Sequence, residues 1–250
     1  MTHFPVYNLV SVDPDGSNDS KEVCLITGVG PGTGSALARR FAEGYRVALL
    51  ARNAERLEAL AGELEGAVAF PCDVADEAQL SATVDRIRHE MGDPSVVIHN
   101  AVGGAFGDFL SIDPDVLQRN FQVNTMALLH LGRLVAPAMI EARRGVILCT
   151  SNTSTYRGKA NFAGFAPTKA AQRILAESMA RTLGPQGVHV AYLAIDAVID
   201  LGWTRKLNPD KPDSFFCKPA DIATECWHLA HQPRSAWTFD VMIRPDGETW

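Results

Sequence analysis

The sequence has no C-x-x-C pair: its five cysteines are odd in number and scattered at Cys24, Cys72, Cys149, Cys217 and Cys226. That spacing excludes a disulfide framework and suits free thiols in a reducing, cytoplasmic setting. Basic residues are in the minority, with 23 Lys+Arg against 29 Asp+Glu and a formal net charge of −6. A broad cationic field for nucleic acid is therefore absent, and no nucleic-acid partner is expected. No uninterrupted apolar run reaches bilayer length. The opening residues Met1-Thr2-His3-Phe4-Pro5 lack the basic-then-apolar order of a secretion signal, so neither membrane nor export is expected. With 46 % hydrophobic and 21 % charged residues over 250 positions, disorder, collagen-like repeats and coiled coil are excluded as well. What remains is a chain able to close one substantial core.

Residues 11–20 are polar and turn-rich, and 1–20 are expected to form a loosely attached extension to a folded domain over 21–250. Within that domain short apolar runs alternate with helical patterns. Val23 to Thr27, Arg46 to Leu50, Ser95 to His99, Val146 to Thr150 and Val188 to Ile195 read as strands, with another ending at Cys72 and a closing strand over Trp237 to Ile243. Leu57, Leu60, Ala61 and Leu64 repeat at helical spacing behind Asn53 as N-cap, and Leu80, Val84, Ile87 and Met91 do so behind Asp76. Asp113 followed by Pro114 starts a further helix, and Pro219 starts the last. The inner runs are apolar on successive residues, as strands covered on both faces must be. Alternating strands and helices predict an α/β, single-domain, doubly wound parallel sheet of about seven strands.

Between the first strand and the first helix stands Thr27-Gly28-Val29-Gly30-Pro31-Gly32-Thr33-Gly34. A glycine cluster alone describes a flexible loop. At a strand-to-helix junction it describes a Rossmann-type cradle, with a tight turn, close backbone approach to a pyrophosphate and a helix N-terminus facing it. Thr27, Gly28, Gly30, Pro31, Gly32, Thr33 and Gly34 are the candidate cradle residues.

The spacing T-G-x-x-x-G-x-G resembles the short-chain dehydrogenase/reductase family, and the likeness extends over about residues 21–245. Asp73-Val74 stands where that family contacts adenine, and Asn100-Ala101-Val102-Gly103 follows the fourth strand with His99 in place of the family's first Asn. Asn124, within Val123-Asn124-Thr125, matches the family's structural and relay Asn. The resemblance implies a small-molecule substrate, a homo-oligomer (dimer or tetramer) and a nicotinamide cofactor. At the end of the second strand Ala51-Arg52 replaces the acid that selects NAD, and a guanidinium suits a 2′-phosphate, so NADP(H) is the expected cofactor. The alternative for Arg52 is a solvated strand end.

The family's chemistry uses Y-x-x-x-K, with a Ser thirteen residues before the Tyr. Here the segment reads Phe165-Ala166-Pro167-Thr168-Lys169, and Asn152 stands at the serine position. The stretch Tyr156 to Phe165 looks like a subgroup that carries Phe in place of that Tyr. The resemblance thus implies an atypical site in which Lys169 holds the ribose, Asn124 supports Lys169 through a water, and Asn152 contacts the substrate oxygen. After the sixth strand Ile195-Asp196-Ala197-Val198 replaces the usual Pro-Gly. This puts Val198 at the carboxamide contact and Asp196 near the crevice, either as a substitute acid or base or paired with Arg205 or Lys206. His228-x-x-His231 lacks a third ligand, and no metal is expected. Residues 200–218, with Trp203, Phe215 and Phe216, match the family's substrate lid, or pack that loop onto the domain. Trp237 to Ile243 and Trp250 are expected at an oligomer contact. The function expected is an NADP(H)-binding oxidoreductase acting on a small carbonyl or alcohol. The alternatives are a non-redox enzyme using the nucleotide as scaffold, and a catalytically silent nucleotide-binding subunit.

Overall fold

A computed structural model of the chain describes residues 21–247. The expected extension over 1–20 and the contact expected of Trp250 lie outside the described residues. Strands and helices alternate as β1 (Val23–Thr27), α1 (Thr33–Ala42), β2 (Arg46–Ala51), α2 (Ala54–Glu63), β3 (Ala67–Pro71), α3 (Glu77–Met91) and β4 (Pro94–His99). The second half holds α4 (Pro114–Phe121), α5 (Ala127–Glu141), β5 (Gly145–Asn152), α6 (Ala166–Leu183) and β6 (Val188–Ile195). It continues through β7 (Val198–Ile199), α7 (Gly202–Leu207), β8 (Phe216–Cys217), α8 (Pro219–Ala230) and β9 (Asp240–Ile243).

Seven strands form one parallel sheet in the order β3-β2-β1-β4-β5-β6-β9. The expected doubly wound α/β sheet is thus the observed one. Successive residues of each strand feed opposite faces. Leu25, Phe70, Ile87, Leu128 and Tyr192 belong to the core under α3, α5 and α6, while Ile26, Phe41, Leu57, Ile98, Leu193 and Leu229 belong to the core under α1, α2 and α8. The strand order reverses where β1 pairs with both β2 and β4, with Thr27 opposite Leu50 on one side and His99 on the other. A crevice opens there, beyond the strands' carboxyl ends.

The predicted caps form. Asn53 Oδ1 accepts the Arg56 N–H at 2.8 Å, and Asp76 Oδ1 accepts the Gln79 N–H at 3.0 Å. The Gln79 side chain, however, reaches the Asp73 N–H instead of closing a box on Asp76. Asp113 caps α4, with Pro114 in its first turn. A widened π turn at Gln122–Met126 joins α4 to α5, so Pro114–Glu141 is one helical run of 28 residues, within which an 18-residue stretch has a mean hydropathy of 1.3. That length and composition would suit a membrane crossing, but Leu128, Leu131, Val135 and Met139 are buried in the domain core. The closing strand starts at Asp240, three residues later than expected. Trp237 instead stacks on His189 at 5.0 Å and donates its indole N–H to the Gln232 carbonyl.

Candidate active site

The glycine turn is built by contact with the loop after β4. Thr27 Oγ1 accepts the N–H groups of Asn100 and Ala101 at 3.2 and 3.3 Å and shares a hydrogen bond with His99 Nδ1 at 3.1 Å. Thr27 is fully buried, so it pins two loops together and does not line the crevice as its place in the motif suggested. Gly28 has φ 70°, and a Cβ there would lie 2.4 Å from the Ala101 Cα. A Cβ on Gly34 would lie 2.5 Å from the Gly28 carbonyl, which is how closely α1 sits on the turn. Asn100 completes the junction, donating to the Gly28 carbonyl at 2.9 Å and accepting from the Thr150 hydroxyl at 2.8 Å.

Above this junction lies a cavity of about 490 Å³. Gly28, Gly30, Pro31, Thr33 and Gly34 line it together with Arg52, Asn100, Asn152 and Lys169. A second cavity of about 360 Å³ shares Gly28, Ala51, Arg52 and Val102 with it and adds Asp73, Val74, Ala101 and Arg119. The shared residues make the two cavities one continuous cleft, and the N-terminus of α1 forms part of its wall. First-turn N–H groups and the helix dipole favour an anion there. Arg119 lies 2.8 Å from the Asp73 carboxylate. Burial pushes that carboxyl up, but the Ala75 N–H and the Arg119 guanidinium more than reverse this, leaving it below the usual range.

Lys169 is 2 % exposed and extends from α6 into the cleft wall. Its Nζ donates to Gln172 Oε1 at 2.8 Å. Burial pushes the ammonium down to about 8. Gln172 Nε2 donates in turn to the Asn124 main-chain carbonyl at 2.6 Å. A side-chain amide thus joins Asn124 to Lys169 directly, where the family pattern implied a water. The Asn124 side chain is spent elsewhere: it accepts from the Gly103 N–H at 2.9 Å and donates to the Gly103 carbonyl and the Thr168 hydroxyl, both at 2.8 Å. It is buried and does not line the cleft.

Sequence reasoning missed three polar residues beside Lys169. Gln172 is one. The others are Ser151, which lines the cleft, and Tyr192, whose hydroxyl lies 2.6 Å from Ser151 Oγ and 3.2 Å from both the Lys169 carbonyl and Gln172 Oε1. A serine, a tyrosine and a lysine therefore do meet here, although not at the expected spacing. Tyr192 is 0 % exposed, and burial pushes its phenol well above the usual range. No local motif announces this group, since β5, α6 and β6 supply one member each.

The remaining expected residues are placed differently. Asn152 lines the cleft, and its Oδ1 accepts the Ser154 N–H at 3.0 Å, which leaves its Nδ2 as the group to donate. Phe165 is 8 % exposed, packed near Gly104 and 6.4 Å from the Phe162 ring. Asp196 does not line the cleft; its neighbours Ile195 and Ala197 do. Strand-end alternation turns its carboxylate outward, to 3.9 Å from Arg157 and 3.6 Å from Arg244. The expected partner Arg205 binds Asp200 and Asp213 instead. Val198 pairs with Phe216, leaving Ile199 and Leu201 on the wall, and Leu201 also covers Gly32. Trp203 and Arg56 line the cleft as well. Arg56 was also missed, although its place four residues after Arg52 could have signalled it. His228 pairs with Glu225 and His231 with the Tyr45 hydroxyl, and among the described residues no cluster of three or more His, Cys, Asp or Glu could hold a metal.

Residues 22–210 match the short chain dehydrogenase family. The 7alpha-hydroxysteroid dehydrogenase of Escherichia coli K12 is 28 % identical over 236 residues, covering 89 % of this chain and 92 % of that protein. The D-erythrulose reductase of Gallus gallus is 31 % identical over 234 residues, covering 89 % and 93 %. Among solved structures, a metagenomic short-chain oxidoreductase in complex with NADP superposes with a TM-score of 0.79 at 29 % identity, covering 92 % of this chain and 99 % of that one.

Proposed function

The chain belongs to the short-chain dehydrogenase family, and from that membership we propose an NADP(H)-dependent oxidoreductase acting on a small carbonyl or alcohol. The observation that carries this reading is the single cleft that the glycine turn, Arg52 and Lys169 line together. When bound, the nicotinamide supplies or accepts a hydride. The N-terminus of α1 receives the pyrophosphate. Arg52 takes the 2′-phosphate, with Arg56 as a second guanidinium and Ala51 leaving no carboxylate to repel it. Lys169 holds the nicotinamide ribose, and Asn152 Nδ2 donates to the substrate oxygen. Phe165 and Asn152 stand in the places of the family's Tyr and Ser, so no hydroxyl at those two positions delivers the proton. A small-molecule substrate, a homo-oligomer and a cytoplasmic setting accompany the same reading, with residues 200–218 as the substrate lid.

Titration of NADPH and NADH by fluorescence, followed by a screen of ketones and alcohols for change in nicotinamide absorbance, tests the proposal. Tight NADPH binding with redox turnover is expected. A clear preference for NADH would overturn the cofactor assignment. The apolar ring at Phe165 favours a second reading, in which the nucleotide is scaffold or signal; substrate loss at constant NADPH, or binding without any chemistry, would establish it.

Two further results are expected. Arg52→Glu should weaken NADPH by about 10- to 100-fold, the worth of a charge-assisted hydrogen bond to phosphate, while leaving NADH within about threefold. Equal losses for both nucleotides would count against a 2′-phosphate contact. The second concerns pH. Nucleotide contact favours the charged Lys169, so its pKa in the complex exceeds the free value of about 8. NADPH affinity should then be level between pH about 7 and about 8 and fall as pH rises above it. An affinity still flat well into the alkaline range would detach Lys169 from binding.

A further inference from the structure

We propose that Gln172 is the positioning residue of this site: its amide bridges the Asn124 carbonyl and the Lys169 amino group, making Lys169 a fixed cation instead of a link in a proton chain. This deepens the NADP(H) reading of the cleft and rests on it for the role of Lys169.

The bonding leaves the amide little freedom. Nε2 donates to the Asn124 carbonyl at 2.6 Å, so the orientation of the group is set and Oε1 must face Lys169. Oε1 then accepts from Lys169 Nζ at 2.8 Å and lies 3.2 Å from the Tyr192 hydroxyl. Gln172 is fully buried, one helical turn from Lys169 on α6, so the bridge is short and shielded from solvent. The carbonyl it uses belongs to the π turn at Gln122–Met126, which joins α4 to α5. Two helical segments are thus tied together through the side chain that holds the cation.

The chemistry of the bridge decides its role. An amide oxygen can only accept hydrogen bonds, and an amide N–H gives up no proton near neutral pH. A proton leaving Lys169 in this direction has no acceptor that can pass it on. A water, a hydroxyl or a carboxylate at the same place would pass it. The ionisable groups facing Lys169 from the sheet are His99 on β4, Cys149 on β5 and Tyr192 on β6. Burial holds His99 down at about 4 and Cys149 up at about 12, and raises Tyr192. None of them changes charge between pH 7 and 9. Among these four buried groups, a titration in that range therefore belongs to Lys169.

The test compares wild type with Gln172→Leu and Gln172→Glu, each shown to be folded by circular dichroism and thermal unfolding. The Lys169 amino group is followed by NMR in apoprotein carrying isotope-labelled lysine, its resonance identified by its loss in Lys169→Met. Removing the acceptor disfavours the charged form, so Gln172→Leu should lower the Lys169 midpoint by about one pH unit. It should also weaken NADPH about fivefold at pH 8, as the charged fraction of Lys169 falls from about one half to about one tenth. A carboxylate favours the charged form, so Gln172→Glu should raise the midpoint by at least about one unit and retain NADPH binding at pH 8. Midpoints unchanged in both folded variants would overturn the proposal. Shifted midpoints in a protein that binds no NADPH would uphold the bridge and sink the cofactor reading, so the two failures are distinguishable.

Discussion

The double variant Phe165→Tyr with Asn152→Ser is expected to reduce simple ketones about 10²- to 10⁴-fold faster than wild type in single turnover, while Phe165→Tyr alone gains less than about tenfold. The first range is what a well-placed general acid contributes. Phe165 lies one turn before Lys169, whose N–H donates to the Phe165 carbonyl at 3.3 Å, so backbone spacing already suits a hydroxyl on that ring. The ring is 8 % exposed, and the added oxygen needs a polar partner to avoid burial without a hydrogen bond. Asn152 meets that need poorly. Its Oδ1 is engaged by the Ser154 N–H, and its Nδ2 donates without transferring a proton. A serine there supplies a hydroxyl that both accepts and donates. Single turnover is the right measurement because Gln172 stands between Lys169 and the Asn124 carbonyl and slows reprotonation in later cycles. Strong reduction by Phe165→Tyr alone would show that position 152 is not the obstacle. A double variant no faster than wild type would refute the assignment of both positions.

Gly28→Ala should cost about 2–5 kcal/mol of stability. The left-handed backbone at φ 70° costs a Cβ-bearing residue about 1–2 kcal/mol. The methyl would also meet the Ala101 main chain at 2.4 and 2.5 Å, and main chain yields less readily than a flexible side chain. Overpacking of that kind costs about 1–3 kcal/mol. For a domain this size the sum lowers Tm by roughly 10 °C. Gly30→Ala is the matched control. It lies two residues away with nothing within 4 Å of its Cβ position, so its stability should stay within about 1 kcal/mol of wild type. Urea midpoints for the two variants give the comparison. Equal midpoints would mean that the turn does not press on the loop after β4.

What could be read without coordinates follows from local physics. Strands buried on both faces must be apolar on consecutive residues, and Val23 to Thr27 and Val188 to Ile195 announced themselves that way. The caps at Asn53, Asp76 and Asp113 bond to main-chain groups two or three residues away, so their spacing was visible. The glycine turn and Lys169 were legible because the first is a strand-to-helix junction and the second lies at a fixed helical spacing from Phe165.

Tertiary structure decided the rest. The direction of a side chain at a strand end depends on pleat and register, which is why Asp196 faces Arg157 and Arg244 while Ile195 and Ala197 face the cleft. Thr27 heads the glycine motif in the sequence, yet its hydroxyl is consumed by the loop after β4, which a linear reading cannot place beside it. Most of all, Ser151, Gln172 and Tyr192 meet only because β5 and β6 pair in register and α6 packs across them. The sequence by itself determined the sheet, the cradle and the cation. Their folding together decided which hydrogen bonds hold that cation, because those bonds join residues that no local pattern relates.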